Sequence, residues 1–206
     1  MNLLKNENFD DPRIQRYIEV LEQKSMRLKT LTEDVVEASK ITSGNIKLEC
    51  MKLDFTELVL QTSAEYEEKF EERNLTEIQH LPKEKALVYI DGRRTWRILA
   101  NLYNNAAKYA MTGSRIYTDL KVTEGAVIFS IKNISEQPLN INADQLTERF
   151  IRGDISRSTE GSGLGLSIAQ TLTEMQKGKF ELYLDGDLFK ATVTFPKVQE
   201  EQSTQI

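Results

Sequence analysis

Apolar side chains return every seven residues at Ile14, Leu21, Leu28 and Val35, with Tyr17, Leu31 and Ala38 on the interleaved positions. This spacing predicts a long helix with one apolar seam, interrupted at Lys24, of the kind that packs in a coiled coil or helix bundle. Asp10-Asp11-Pro12 supplies capping oxygens and a first-turn proline, and Ser43-Gly44-Asn45 supplies a stop. A lone helix cannot bury such a seam, so the pattern calls for a partner helix. An amphipathic helix is predicted over 54–74, and after it the period shortens. Residues 86–91, 114–123 and 126–133 read as strands, the last two an antiparallel pair around Glu124-Gly125. Residues 179–196 read as a hairpin turning at Asp185-Gly186. Helical patterns at 99–110 and 166–176 interleave with these strands. The expected fold is α+β: a two-layer α/β sandwich, its mixed sheet covered on one face by helices and preceded by the long helix.

Chemistry concentrates in two places. In LANLYNNAAKYA the residues Asn101, Asn105, Lys108 and Tyr109 recur at i, i+4, i+7 and i+8, which puts them on one helical face. Leu99, Leu102, Tyr103, Ala106 and Ala110 form the adjacent apolar face, suited to lying on a sheet. Asn is a mediocre helix former, so two on one stripe call for a role beyond solvation. Some sixty positions on, Gly161-Ser162-Gly163-Leu164-Gly165 runs into the helix that begins near Leu166. Glycine lets backbone approach a ligand closely, and a helix start offers unpaired N–H groups and partial positive charge. Phosphate suits such a place. Together the two segments describe a nucleoside triphosphate site.

Over roughly residues 50–198 the chain resembles the ATP-binding catalytic domain of sensor histidine kinases, part of the ATPase superfamily that also contains gyrase and MutL, with its Bergerat-type sandwich. NLYNNAAKY at 101–109 resembles the N box, ERFIRGD at 148–154 the F box, and GSGLGLSIA at 161–169 the G2 box. The resemblance implies ATP and Mg²⁺ as cofactors. It gives Asn105 as the Mg²⁺ ligand, Asn101 as its support, Lys108 as a phosphate contact and Tyr109 as a residue flanking adenine. Gly161, Gly163, Leu164, Gly165 and Leu166 would form the phosphate loop and helix start. The polar stretch between Asn133 and Gly161 would be a lid over ATP. Arg152 and Arg157 in it are candidates for phosphate or cross-domain contacts, and Phe150 would dock it by packing. One departure stands out: the family's Asp-x-Gly-x-Gly is absent, with Asn133 in the place of the Asp and Ser135 and Gln137 in those of the glycines. Asn keeps an acceptor for the adenine amino group but loses charge assistance.

By the same resemblance residues 1–48 are the end of the first helix and the second helix of a dimerisation and phosphotransfer region and 49–198 the catalytic domain; the polar terminal stretch 199–206 reads as a disordered tail. The first helix of that region carries a phospho-accepting histidine. The single histidine here, His80, lies in NLTEIQHLPKEKAL beside a Leu-Pro that supplies neither an acidic base nor a helix, and is read as a surface residue. The chain is therefore expected to be the donor half of a longer kinase, or a natural variant without the acceptor, and not to autophosphorylate alone. The implied partners are a response regulator and, in the full-length protein, a second copy. Two other readings are a nucleotide-binding regulatory or dimerisation module without phosphotransfer, and a protein-serine kinase of the same superfamily. A net charge of −5 argues against general nucleic-acid binding. The single Cys50 excludes an internal disulfide and fits a reducing compartment. No apolar run of membrane-spanning length is present, so a membrane would be reached only through segments outside this chain, which is expected to face the cytoplasm.

Overall fold

The computed structural model describes residues 12–43, 46–139, 146 and 163–198. In chain order the elements are α1 Pro12–Thr42, β1 Met51–Asp54, α2 Phe55–Ala64, α3 Glu67–Glu71, β2 Thr76–His80, β3 Leu87–Ile90, α4 Gly92–Tyr109, β4 Arg115–Val122, β5 Ala126–Ile134, α5 Gly165–Met175, β6 Lys179–Asp185 and β7 Leu188–Pro196. Five strands form a sheet in the order β2-β4-β5-β7-β6, and β1 pairs with β3 separately. Only the β2–β4 pair of the large sheet is parallel. The mixed sheet and both expected antiparallel pairs are present. The second hairpin turns at Gly186, whose φ of +56° suits a residue without a Cβ.

Alternation along the strands decides which face is covered. Val127, Phe129, Ile131 and Asn133 of β5 are buried on one side, and Phe129 meets the rings of Phe55 on α2 and Tyr103 on α4. Phe55, Ile98, Leu99, Leu102, Ile168 and Phe195 are closed to solvent in the same layer. The helices thus cover the sheet side that ends at Asn133.

The stretch 54–74 is not one helix. It breaks after Ala64 and resumes at Glu67, where Glu65 and Tyr66 donate their N–H groups to Thr62 and Ser63 in tightened turns. The break aims Tyr66 into the core, where its hydroxyl donates to the carbonyl of Ala100 (2.8 Å). A tertiary hydrogen bond and a buried ring outweigh the continuous helical period.

α1 forms over its expected length, and its seam is open: Tyr17, Leu21, Leu28 and Val35 are all more than half exposed. Its last turns are docked. Glu37 accepts from Arg94 (2.9 Å) and Arg97 (3.1 Å) of α4, and Arg97 also pairs with Asp34. Ala38 and Ile41 pack against the core beside this cluster. The Ser43-Gly44-Asn45 stop agrees with the helix end at Thr42, although residues 44 and 45 lie outside the described residues.

Candidate nucleotide site

α4 carries the polar stripe and is fixed along its whole length. At its start the Asp91 carboxylate caps the helix, accepting from the N–H of Arg94 (3.0 Å) and from that of Glu49 (3.0 Å). The Asp91 N–H in turn donates to Gln176 Oε1 (2.7 Å), which also accepts from Thr95 Oγ1 (3.2 Å). The end of α5 is thereby tied to the beginning of α4. At mid-helix Tyr103 donates to Glu77 (2.8 Å) on β2, whose carboxylate also accepts from Thr118 (2.6 Å) and Ser63 (2.5 Å). Burial and the neighbouring Glu77 charge hold the Tyr103 phenol well above its ordinary pKa; burial, with the nearby Glu65 charge, pushes Tyr66 up to about 12.

With its apolar face pinned, α4 turns Asn101, Asn105 and Tyr109 to a half-buried position and Lys108 to an exposed one in the last turn. The Asn101 amide nitrogen is closed to solvent and has no hydrogen-bond partner. Facing it is the start of α5. There the helix begins behind Leu164, which is almost fully buried and offers no side-chain cap. Gly163 has φ of +73°, a left-handed conformation that suits glycine and turns the chain into the helix. At Gly165 an added Cβ would stand 3.3 Å from Asn101 Oδ1, so the two expected boxes are in direct apposition. Leu166 is buried and anchors the first turn.

The third contribution comes from β5. Asn133 is 3% exposed on the helix side of the sheet, and its Oδ1 has no hydrogen-bond partner. Leaving a buried polar atom unpaired costs about 1–3 kcal/mol. Two such amide atoms, one on α4 opposite the start of α5 and one on the strand beside the end of α4, are groups that a polar ligand would complete. Main-chain bonds bring the end of α4 to this strand: the Glu136 N–H donates to the Tyr109 carbonyl (2.8 Å), and Ala110 bridges to Ser135.

The structure therefore brings Asn101, Gly163, Leu164, Gly165 and Leu166 together and sets the Tyr109 end of α4 beside the Asn133 strand. Gly161, Arg152, Arg157, the F box and Phe150 lie outside the described residues. Among the residues sequence reasoning missed are Glu77 and Gln176, whose partners are far away along the chain. His80 is exposed, as expected of a surface residue; the adjacent Leu-Pro supplies no acidic group, but Asp119 on β4 lies 2.8 Å from His80 Nδ1, because parallel pairing of β2 with β4 sets the two residues side by side. Asp119 also accepts from Lys132 (3.1 Å); although partial burial opposes it, these two bonds lower the carboxyl below its ordinary range. Both residues stand on the sheet face opposite the helices, since Glu77, Gln79 and Thr118, which alternate with them, bond toward α2 and α4.

The residues present fit a nucleotide with its metal ion. They offer amide oxygens for a hard cation that keeps several waters, a glycine-led helix start whose N–H groups suit phosphate, and a buried acceptor for a base. Among the described residues no group of three or more His, Cys, Asp or Glu could hold a metal, and no helix is long and apolar enough to cross a membrane.

A two-layer sandwich in which a paired-Asn helix faces a glycine-led helix start is the arrangement to compare with known proteins, and the comparison shows an ATPase class. Residues 90–202, more than half of the chain, match the family described as histidine kinase-, DNA gyrase B-, and HSP90-like ATPase. The chain is similar to the histidine protein kinase SaeS of Staphylococcus aureus, 30% identical over 195 residues, which cover 91% of this chain and 55% of that protein. Among solved structures it resembles ShkA, full-length and in complex with AMPPNP (TM-score 0.77, 20% identity, 96% of this chain and 42% of that one). It also resembles the histidine kinase ThkA in complex with the response regulator TrrA (TM-score 0.66, 23% identity, 93% of this chain and 54% of that one). At these identities the structural likeness is one of fold. The chain spans about half the length of the curated relatives it matches. It belongs to the histidine kinase-, DNA gyrase B-, and HSP90-like ATPase family, and the curated relatives it matches are sensor histidine kinases.

Proposed function

We propose that this chain binds ATP with Mg²⁺ and donates the γ-phosphate to a histidine that the chain does not itself contain, as the catalytic portion of a two-component sensor histidine kinase. The observation that carries the reading is the apposition of Asn101, with its buried unpaired amide nitrogen, to the glycine-led start of α5, where Leu164 supplies no side-chain cap. In this reading the N–H groups of α5 take phosphate oxygens, Gly163 and Gly165 keep the approach open, and Leu164 and Leu166 anchor the turn. Asn105 holds the metal ion, Asn101 orients the phosphate end, and Lys108 adds a positive charge to it. Tyr109 flanks the base while Asn133 accepts from its amino group. Arg152 and Arg157 contribute phosphate or cross-domain contacts. The metal ion supplies charge neutralisation across the phosphates, and the chain's own part is positioning, which carries most of phosphoryl-transfer catalysis.

His80 is not the acceptor in this reading, because it stands in a strand on the sheet face away from the helices. The exposed seam of α1 suits a partner helix, hence a second copy in the whole protein, and a response regulator would take the phosphate onward. The parent protein would reach a membrane through other segments, with this portion facing the cytoplasm.

Mixing the chain with labelled ATP, Mg²⁺ and a separate fragment bearing an acceptor histidine tests the proposal. Acid-labile label should appear on the fragment and not on this chain. Binding of ATP without any transfer would favour the regulatory module, and label at serine the protein-serine kinase.

A further inference from the structure

The last four carbonyls of an α-helix have no partner within the helix. In α4 their fate can be followed one by one. The Ala106 carbonyl accepts from the N–H of Ala110 (3.0 Å), and that of Tyr109 accepts from the N–H of Glu136 (2.8 Å). The two between them, Ala107 and Lys108, accept from one side-chain nitrogen, Arg73 Nη1 (2.7 and 2.5 Å). Arg73 Nη2 meanwhile donates to Thr112 Oγ1 (3.1 Å) and to the Glu136 carboxylate (2.6 Å). Its side chain is 25% exposed. One guanidinium thus joins the C-terminal turn of α4, which ends in Lys108 and Tyr109, to the segment that leaves β5 just after Asn133. A positive charge at the negative end of a helix adds to the hold. The joint needs a planar fork of donors reaching four oxygens, on α4, on the turn after it and on the segment after β5, which an ammonium cannot reproduce.

We infer that Arg73 is a positioning residue for nucleotide binding: it fixes Lys108 and Tyr109 relative to Asn133 by clamping the end of α4 to the strand exit. This rests on the ATP-binding reading above, and it assigns a function to a residue outside every box. Arg73 has both of its terminal nitrogens engaged by the protein itself. Its effect is on the spacing between two walls of the site, so it bears on affinity more than on the chemical step at Asn105.

The test compares Arg73→Gln, Arg73→Lys and Glu136→Gln in the whole chain. Calorimetric titration with an ATP analogue and Mg²⁺ should show Kd raised about tenfold for Arg73→Gln, the factor that ~1.4 kcal/mol represents. Arg73→Lys, which keeps the charge and part of the bonding, should fall between it and the wild type, and Glu136→Gln should have the smallest effect. In transfer assays KM for ATP should rise while kcat stays within about twofold. Hydrogen exchange in nucleotide-free protein should quicken at the Met111 and Glu136 amides, which reads the joint without ATP. Equal affinities in folded variants, or a loss of kcat at unchanged KM, would overturn the inference. Should Arg73→Gln fail to fold, the lysine and Glu136 variants decide it by the same readouts. A wild type that does not bind the analogue takes down the ATP reading itself, a result visible before any variant is compared.

Discussion

The two helices that border the candidate site are held in opposite ways. α4 is capped by Asp91, tied to α1 through Arg94 and Arg97, hung from Glu77 through Tyr103, and closed by Arg73 at its end. α5 begins with no side-chain cap behind Leu164 and enters from a left-handed glycine. A helix whose orientation is already fixed can present side chains to a ligand at little reorganisation cost. A helix start left uncapped keeps its N–H groups available, and an anion bound there would serve as the cap. The difference suits α4 to side-chain contacts with a ligand and α5 to main-chain ones.

The largest predicted effect attacks the side-chain wall. Asn105→Ala should lower phosphotransfer to an acceptor fragment by about 100-fold or more, the size found when one transition-state charge stabiliser is removed. The thermal midpoint should hardly move, because alanine is the better helix former and α4 is fixed elsewhere. Retained transfer, measured as label on the fragment, would sink the metal assignment.

The main-chain wall should answer differently. Gly163→Ala places a Cβ on a residue at φ +73°, costing about 1–2 kcal/mol in backbone strain. Gly165→Ala meets no such strain but drives a methyl toward Asn101 Oδ1. Nucleotide affinity should fall about tenfold in the second variant. A double-mutant cycle with Asn101→Ala should be non-additive, because the inserted methyl acts through that amide. An additive cycle would mean that Gly165 serves direct approach to the phosphates instead, as the sequence alone suggests.

Much of this contrast is legible in the sequence. The stripe of Asn101, Asn105, Lys108 and Tyr109 follows from helical spacing, and the glycine run announces a helix start. Asp91 at the end of a strand reads as the residue that begins α4. Local signals of this kind reach three to eight residues. The restraints that fix α4 do not, since Arg73 and Tyr103 act on partners 26 to 63 residues away and Glu37 meets Arg94 across 57. The break in 54–74 was hidden for the same reason: its cause is Tyr66 reaching Ala100, 34 residues further on. The unpaired oxygen of Asn133 could be placed only by resemblance, because strand alternation marks the position as inward-facing without saying that nothing meets it.

The smallest effect tests whether the hydroxyl anchor of α4 is separate from the ligand wall. Tyr103→Phe removes the bond to Glu77, while Thr118 and Ser63 still donate to that carboxylate. Stability at pH 7 should fall by about 1 kcal/mol, the net worth of one buried hydrogen bond. Nucleotide affinity should change less than about threefold, since Tyr66 and the two ends of the helix still hold it. The pH dependence gives an independent check. A phenol whose pKa is raised by folding contributes no penalty below its unfolded value of about 10, and stability is lost as pH climbs from there toward the folded value. The wild type, with Tyr66 raised to about 12 and Tyr103 raised as well, should therefore lose stability steeply above about pH 10. Tyr103→Phe should lose it more gently, so the curves from chemical denaturation should converge as pH rises. Parallel curves would mean that Tyr103 ionises as freely in the folded chain as in the unfolded one, and that the anchor at mid-helix is not closed to water.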